Sequence, residues 1–501
     1  MKKILFIAAI LSSFTFLHAQ QPDAKFKLLH YEWTINADGT SDYHYRHEVQ
    51  ILRNSALTAY ADKGETFVVY NPDLEEVTVN EVYTVQTDGK RIDMPQNAFI
   101  YQLPSECADC GRFNHMRELA MVHTGMELGC VIVVDYTVHR QYNLLQERIP
   151  LQRECPVERL EVVVNNNSSF QVKFDTLGSQ YLPTAGINKS VNVDVADGQM
   201  TNKTTYTFNN MPQAPMEDYM PSDIIPTLRI YNGTPEYVPA FDQKPFDGAA
   251  DAIGQQMNGN AYENVVNIRN FVVDNIHLND IHPSHLGYLH ATPFEVWATG
   301  CGTATDKAVF LAAILNHEGF SARVIGDDYD QVGVMLDTLE YRLDVRHKTP
   351  MEINGEAKDE IATFDLTNTV DVADKLDTLE DGFFHLKAFF PLPGEPMVHA
   401  TMLPLQRTTP LVASACDLKS QVTYTLPKGL KMVGSEVKES LDFPGIGSLL
   451  ITVKQSGKKI TVVRNLKLDH STVSVDDYAR YRQLLALWQS YEYKQILLRQ
   501  K

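Results

Sequence analysis

The stretch Thr299-Gly-Cys-Gly-Thr-Ala-Thr-Asp-Lys-Ala308 leads into an apolar run, and this junction decides the fold class of the central part of the chain. Thr303 and Asp306 have the spacing of a capping box, in which each side chain binds the backbone N–H of the other residue. The spacing predicts a helix that begins close to Thr303 and ends at Gly319. Because apolar residues cover nearly all sides of this helix, we expect it to be buried.

Helical and strand patterns lie on both sides of this junction. Apolar residues at spacings of three and four predict a helix within residues 247–278; they are Val265, Ile268, Val272 and Ile276. Residues 321–325 predict a strand directly after the buried helix, and residues 339–346 alternate between apolar and polar side chains. The central segment therefore predicts an α/β core.

Residues 264–326 resemble the core of the transglutaminase-like, papain-related superfamily, in which Gly-x-Cys-x-Asp-Lys-Ala opens the buried helix. The resemblance implies a cysteine nucleophile at the helix N-terminus, where the helix dipole lowers the pKa of the thiol. Aligning Asp306-Lys307-Ala308 with the family motif places Ala304 at the nucleophile position. Alanine has no nucleophilic atom, so the usual chemistry is impossible there.

The family also uses a histidine on the next strand and an aspartate on the strand after it. The histidine position falls near Tyr341 or Arg342, whereas Asp365, in Phe-Asp-Leu-Thr-Asn, matches the aspartate motif. Because a triad is defined by geometry, a relocated set of Cys301, His347 and Asp365 stays open as an alternative. The preferred interpretation assigns no catalytic residues. The candidates for binding a ligand in the cleft are Trp297, Cys301, Asp306, Tyr341, Arg342 and Asp365.

Residues 1–19 have the pattern of a cleavable secretory signal peptide. Lys2 and Lys3 precede an apolar run, and Ala19 is a small residue suited to the position before the cut. The run is shorter than a membrane-spanning helix requires. The sequence therefore predicts a periplasmic or secreted protein with no membrane span after signal cleavage.

Residues 20–214 predict a β-sandwich domain. Asp38-Gly39 and Asp88-Gly89 separate strand-like runs and are strong hairpin signals, and Val131–Val138 predicts a buried strand. This region resembles the domain of unknown function that often precedes transglutaminase-like cores in exported bacterial proteins.

The remaining boundaries follow from proline content and strand pattern. Seven prolines between Met211 and Phe246 predict a linker at residues 215–245, followed by the transglutaminase-like core at 246–376. Residues 377–501 predict a β-rich C-terminal domain with a closing helix at its end. The expected fold class is α+β multidomain: an N-terminal β-sandwich, a central transglutaminase-like (papain-like) α/β core and a C-terminal β-rich region.

Composition and charge exclude several classes of protein. Of 501 residues, 44% are hydrophobic, which excludes a wholly disordered chain. With 44 Lys and Arg against 63 Asp and Glu, the net charge is −19, so nucleic acid is not an expected partner. Among six cysteines, Cys107 and Cys110 form the one tight pair, and it predicts a local disulfide or plain structural thiols.

Two possible metal sites are disfavoured by their spacing. Four histidines at positions 277, 282, 285 and 290 lack the helical spacing of a metalloprotease, and Asp327, Asp328 and Asp330 lack that of an EF-hand. We therefore expect no metal and no cofactor.

Three functions are compatible with the sequence. The preferred one is an exported pseudoenzyme that binds a peptide, a glycan or a partner protein in the cell envelope. The alternatives are an active cysteine hydrolase or acyltransferase that uses the relocated set, and a structural component of an envelope assembly.

Overall fold

The structure is a computed structural model that describes residues 22–57, 66–181, 187–196, 199–221, 224–233, 247–257, 259–326, 329–348, 352–353, 362–372, 376–396, 398–490 and 496–500. The predicted signal peptide at 1–19 lies outside these residues. The fold is mostly β, and the chain divides into two compact units. The first unit is Met1–Ala214 with Ile225–Thr349, and the second is Pro215–Ile224 with Pro350–Lys501. Across the described ranges, no helix is long and apolar enough to cross a membrane.

The first part of the first unit consists almost entirely of strands. In chain order they are β1 (Ala24–Ile35), β2 (Ser41–Ile51), β3 (Phe67–Tyr70), β4 (Glu75–Val85), β5 (Arg91–Asp93), β6 (Phe99–Gln102), β7 (Arg117–Met121), β8 (Val131–Arg140), β9 (Gln146–Pro150), β10 (Val157–Asn166), β11 (Lys173–Leu177), β12 (Ile187–Ala196), β13 (Gln199–Met211) and β14 (Thr227–Tyr231). Short 3-10 helices span Gln96–Ala98, Ser105–Cys107, Gly111–Phe113 and Ser179–Tyr181.

An eight-stranded sheet, in the order β12-β13-β10-β1-β2-β8-β4-β5, organises this part of the unit. β1 and β10 run parallel, and the other neighbouring strands run antiparallel. Both predicted hairpins are confirmed, because the Asp38-Gly39 turn joins β1 to β2 and the Asp88-Gly89 turn joins β4 to β5. The side chains of β1 alternate, with Tyr31 and Trp33 on the buried face.

Two three-stranded sheets accompany the large sheet, in the orders β3-β7-β6 and β11-β14-β9. β14 lies within the segment that the proline content predicts as a linker. A strand forms there because the prolines at 226 and 235 flank Thr227–Tyr231 without interrupting it, so its backbone pairs with β9 and β11.

Among the described residues, the second part of the first unit contains four α-helices and short strands. They are α1 (Asp247–Gly254), α2 (Ala261–Asn275), β15 (His277–Leu278), a 3-10 helix at Pro283–Leu286, α3 (Pro293–Thr299), β16 (Cys301–Gly302), α4 (Ala304–His317), β17 (Ser321–Ile325), β18 (Gln331–Leu336) and β19 (Leu339–Asp344). The predicted start of the buried helix is confirmed: Thr303 is the N-cap of α4, and its capping box with Asp306 is complete. β17, β18 and β19 form an antiparallel meander directly after α4.

The second unit is a β-rich body with one closing helix. Its elements are β20 (Glu352–Ile353), β21 (Ala362–Asp371), β22 (Leu376–Thr378), a 3-10 helix at Glu380–Gly382, β23 (Phe383–Leu386), β24 (Leu411–Val412), β25 (Cys416–Thr425), β26 (Leu430–Met432), β27 (Val437–Phe443), β28 (Gly447–Ser456), β29 (Lys459–Leu468), β30 (Thr472–Val473), α5 (Tyr478–Gln489) and β31 (Ile496–Gln500). A five-stranded sheet, β21-β25-β29-β28-β27, packs against α5 through one apolar core. The predicted closing helix is confirmed, with Tyr478, Tyr481, Leu485 and Trp488 buried.

Candidate functional site

A cavity of about 350 Å³ lies at the start of α4. Its lining comes from β9, from the loop that follows β15, from the N-terminus of α4 and from the ends of the meander. The lining residues are Gln146, Arg148, Asp280, Ile281, His282, Pro283, Tyr288, Thr303, Ala304, Thr305, Tyr329 and Arg346. The cavity lies within the first unit, and Ala304, which aligns with the nucleophile of the resembled family, forms part of its wall.

The capping box fixes the N-terminus of α4 beside this cavity. Thr303 Oγ1 accepts a hydrogen bond from the Asp306 N–H at 3.1 Å, and Asp306 Oδ2 accepts one from the Thr303 N–H at 2.9 Å. The carboxylate of Asp306 also accepts from the Ala291 N–H and from Arg112 Nη1. Asp306 is fully buried by these contacts and does not line the cavity, so the prediction that it lies in the cleft differs from the structure.

The first two amides of α4 take no part in the capping box. Ala304 and Thr305 occupy the first two helical positions, where backbone N–H groups have no acceptor within the helix. The Thr305 side chain is 3% exposed, and its Oγ1 has no hydrogen-bond partner among the described residues. These donors lie at the positive end of the helix dipole, an arrangement that favours an anion.

Two arginines and one aspartate contribute the charge of the cavity lining. Arg346, just beyond β19, contacts Asp280 through Nη1 at 2.9 Å and Asp330 through Nε at 3.5 Å. Arg148 on β9 is the second cation, and Asp280 is the one acid among the lining residues that the structure describes. With histidine neutral, these described lining residues therefore carry one net positive charge on a chain whose net charge is −19.

Two lining tyrosines have left-handed backbone conformations. Tyr288 has φ 59° and Tyr329 has φ 55°, which non-glycine residues rarely adopt. The Tyr288 hydroxyl accepts from the Gln146 N–H at 3.0 Å, which ties the loop before α3 to β9. Burial raises the pKa of Tyr288 well above its usual range. Backbone conformations of this kind concentrate at binding and catalytic sites.

Cys301 is bonded to Cys110, with the two Cα atoms 6.2 Å apart. The predicted local bridge between Cys107 and Cys110 is therefore not present, and Cys107 is a buried thiol outside the disulfide. The reason is geometric. Residues 107–116 pack against Ile281, Leu286 and Cys301 in one small apolar cluster, which brings Cys110 to β16.

Two members of the relocated set have other partners in this structure. The sulfur of Cys301 is held in the disulfide and cannot act as a thiolate nucleophile while the bond persists. The His347 side chain is 72% exposed, and its Nδ1 lies 3.1 Å from Asp344. Asp365 is an exposed residue of β21 and belongs to the second unit, whereas Cys301 and His347 belong to the first.

The remaining predicted cleft residues of the first unit are not among the residues that line the cavity. Trp297 stacks on Phe271 and Phe310, with centroids 6.3 Å apart in each pair. Tyr341 packs edge-on against Tyr262, and Arg342 lies on the same strand, β19. The alternation of apolar and polar residues in this strand is visible in the sequence. The sequence does not show which end of the strand borders the cavity.

The histidines near α3 make separate contacts. His282 lines the cavity and its Nδ1 lies 2.7 Å from Ser284 Oγ, while His285 Nδ1 contacts Glu75 Oε2 at 2.9 Å. His290 Nδ1 donates to its neighbour's carbonyl, Ala291 O. Within the described ranges, these histidines do not belong to a group of three or more side chains close enough together to bind one metal ion.

Sequence reasoning missed most of the lining residues, above all Arg148, Tyr288, Thr305 and Arg346. Thr305 lies next to Ala304, and Arg346 lies at the end of the alternating strand, so both belong to segments with a recognisable sequence pattern. Nothing local to residues 146–148 indicates that β9 contributes to a site beside α4, because this proximity arises from contacts between distant segments, such as the hydrogen bond from the Gln146 N–H to the Tyr288 hydroxyl.

Comparisons with known proteins agree with this architecture. Residues 37–212 match a family described as a domain of unknown function with a solved structure (DUF3857), and residues 390–498 match a second family so described (DUF3858). No curated protein matches the chain.

A crystal structure of a "putative protease" from Parabacteroides distasonis is similar over 95% of this chain and 99% of its own, with 22% identity and a TM-score of 0.74. That likeness shows a shared fold. An M1 zinc metallopeptidase variant from Deinococcus radiodurans matches 47% of this chain and 54% of its own at 8% identity, but its TM-score of 0.19 carries no argument.

Proposed function

We propose that this chain is an exported, non-catalytic protein with a transglutaminase-like core that binds the carboxylate of a peptide in the cavity at the start of α4. The observation that carries the proposal is that Ala304, which removes the nucleophile, lies next to the buried Thr305 hydroxyl, which has no hydrogen-bond partner among the described residues. The export part of the proposal rests on the signal-peptide pattern of residues 1–19.

The electrostatics of the cavity favour a carboxylate over a neutral group. The amides of Ala304 and Thr305 and the buried Thr305 hydroxyl offer hydrogen-bond donors at the positive end of α4. Arg346 adds a guanidinium that can bind a carboxylate through two parallel hydrogen bonds. Its contacts with Asp280 and Asp330 orient the guanidinium, and because Asp280 is 74% exposed, solvent weakens the ion pair with Asp280.

The size and shape of the cavity support a short peptide segment as the ligand. A volume of about 350 Å³ is at the lower end of ligand-binding clefts, and it admits one or two residues but no large group. The structurally similar Parabacteroides protein is described as a "putative protease", which favours a peptide over a glycan for the same fold. Without a nucleophile at Ala304, such a peptide would be held and released uncleaved.

The experiment compares N-acetylated dipeptides that carry a free C-terminal carboxylate with the same dipeptides as C-terminal amides. Binding is measured by calorimetry on the disulfide-bonded protein. We expect binding of the carboxylate series and at least a tenfold loss on amidation, because a charge-assisted hydrogen bond contributes about 1.5–3 kcal/mol. The Arg346→Gln and Thr305→Val variants should each weaken the binding of the carboxylate series.

Arg323→Gln is the matched control, because Arg323 on the adjacent β17 is 71% exposed, pairs with Glu340 and does not line the cavity. Its binding should equal that of the unmodified protein. Equal affinity for acids and amides would contradict carboxylate recognition. Amide or thioester turnover that disappears in Cys301→Ala would instead support the cysteine-hydrolase alternative and overturn the non-catalytic one.

A further inference from the structure

Two histidines and a glutamate meet on the outer face of the eight-stranded sheet, away from the cavity. Glu32 of β1 is paired directly with His44 of β2 in the antiparallel register. His30 precedes Glu32 by two residues and therefore points to the same face of the sheet. All three side chains are partly exposed, between 15% and 32%, so an ion from solvent can reach them.

The ligand atoms of this trio converge on one oxygen. His30 Nε2 lies 3.1 Å from Glu32 Oε2, and His44 Nδ1 lies 3.9 Å from the same oxygen. The three ligand atoms all lie within 4.8 Å of one another. Ligand atoms around a tetrahedral Zn²⁺ are roughly 3.3 Å apart, as bonds of 2.0–2.1 Å imply. Small side-chain rotations would therefore bring the trio to coordination distance.

The opposite nitrogen of each imidazole contacts a further carboxylate. His44 Nε2 lies 2.8 Å from Asp135 Oδ1, and His30 Nδ1 lies 3.3 Å from Glu161 Oε2. Metal-binding histidines typically donate their second ring N–H to a carboxylate, which fixes the tautomer and the ring orientation. In this trio both histidines have that outer partner.

Glu32 and Asp135 are themselves held in place. Asn165 Nδ2 donates to Glu32 Oε1 at 2.6 Å, which leaves Glu32 Oε2 facing the two histidines. Arg46 Nη1 and Asn80 Nδ2 donate to the carboxylate of Asp135 at 2.9 and 2.8 Å. The trio is therefore supported on several sides by hydrogen bonds to neighbouring strands, as a preorganised site requires.

From this geometry we propose that His30, Glu32 and His44 form a binding site for Zn²⁺, with the remaining coordination position open to solvent. Imidazole and carboxylate are ligands that Zn²⁺ accepts readily, and three protein ligands leave room for a water or an external ligand. The proposal is independent of the peptide-binding cavity, which contains none of these residues. In the competing arrangement the same contacts are ion pairs alone, with protonated histidines between the carboxylates.

Zinc binding to the purified, disulfide-bonded protein tests the proposal by calorimetry and by X-ray absorption at the zinc edge. We expect one Zn²⁺ per chain with two imidazole nitrogens in its coordination shell. His30→Gln, His44→Gln and Glu32→Gln should each weaken binding at least a hundredfold. Asp135 is not one of the proposed zinc ligands but contacts His44, so Asp135→Asn should weaken zinc binding by about 10–100-fold.

His139→Gln is the matched control. His139 on β8 of the same sheet forms a histidine–carboxylate contact with Asp42 at 2.8 Å, but it does not belong to the trio. Zinc affinity should be unchanged in this variant. Far-ultraviolet circular dichroism of every variant checks that the fold persists. Zinc binding retained in a His30→Gln/His44→Gln double variant, or no stoichiometric binding by the unmodified protein, would overturn the proposal and leave an ion-pair network.

Discussion

His47 lies in the middle of β2 with its ring completely buried. Its Nδ1 is 3.1 Å from the Tyr45 hydroxyl, and its Nε2 has no partner among the residues that the structure describes. Burial, reinforced by the charges of Arg153 and Arg46, lowers the pKa of His47 to about 3. The folded protein therefore holds this imidazole neutral where an unfolded chain, with a pKa of about 6.5, would protonate it.

This difference predicts an acid-dependent loss of stability that one substitution removes. Because the pKa is depressed in the folded state, the unfolded state binds more protons between pH 6.5 and about 3. In that window the unmodified protein should lose up to about 1.4 kcal/mol per pH unit relative to His47→Gln. Urea unfolding of both proteins at several pH values measures the difference between their free energies of unfolding. This difference should be constant from pH 7 to 8. A constant difference down to pH 4 would contradict the prediction.

At the scale of elements, α2 and α4 are joined by a buried lysine. Lys307, in the first turn of α4, donates to the Ile276 carbonyl at 2.7 Å, at the C-terminal end of α2. Cations near a helix C-terminus stabilise the last carbonyl groups. The side chain is 1% exposed, and burial lowers the pKa of Lys307 to about 8. Burial therefore disfavours the charged form of Lys307, while the hydrogen bond to the Ile276 carbonyl keeps its amino group at the end of α2.

Lys307→Met should change how stability depends on alkaline pH. The folded pKa of Lys307 is below the unfolded value of about 10.4, so the unfolded state binds more protons between about pH 8 and 10.4. The stability of the unmodified protein should therefore rise relative to the variant across this range. Lys348→Met, at a half-exposed lysine paired with Asp274, is the control. The free energy of unfolding is measured by urea unfolding at pH 7.5, 9 and 10. The same pH dependence for the unmodified protein and for Lys307→Met would contradict a lowered pKa of Lys307.

At the scale of the whole molecule, the Cys110–Cys301 disulfide joins positions 191 residues apart within the first unit. A cross-link that closes so long a loop restricts the unfolded chain strongly, and it contributes about 2–5 kcal/mol in typical cases. It also keeps Cys301 from acting as a nucleophile beside α4.

Removal of the Cys110–Cys301 disulfide should lower the midpoint temperature of thermal unfolding without a change of fold. Cys110→Ala should unfold at a lower temperature, and added reductant should lower the midpoint of the unmodified protein but not of that variant. Cys107→Ala is the control, because Cys107 lies outside the disulfide and its variant should still respond to reductant. Peptide mapping without reduction gives the direct measurement, and a Cys107–Cys110 bridge in that map would contradict the pairing.

The domain boundaries, export and the pseudoenzyme assignment stay predictions, and so does the transglutaminase-like identity of the central core. The structure adds that residues 1–214 and 225–349 form one compact unit, whereas the sequence suggests separate domains at 20–214 and 246–376. Composition shifts locate changes in secondary structure, but they do not report how much surface two segments bury against each other.

Features that depend on neighbouring residues could be predicted from the sequence alone. The Asp38-Gly39 and Asp88-Gly89 turns and the Thr303–Asp306 capping box are encoded within a few positions, because turn and cap geometry is local. The closing helix α5 is likewise set by an apolar stripe along one segment.

Features that combine distant segments could not be predicted in this way and are known from the folded chain. Tertiary packing puts β9 and the start of α4 around one cavity and brings Cys110 to Cys301, and the register of β1 with β2 puts His44 beside Glu32. A shift of one residue in that register would send His44 to the opposite face of the sheet. No local pattern encodes such contacts, because they arise from the packing of the whole unit.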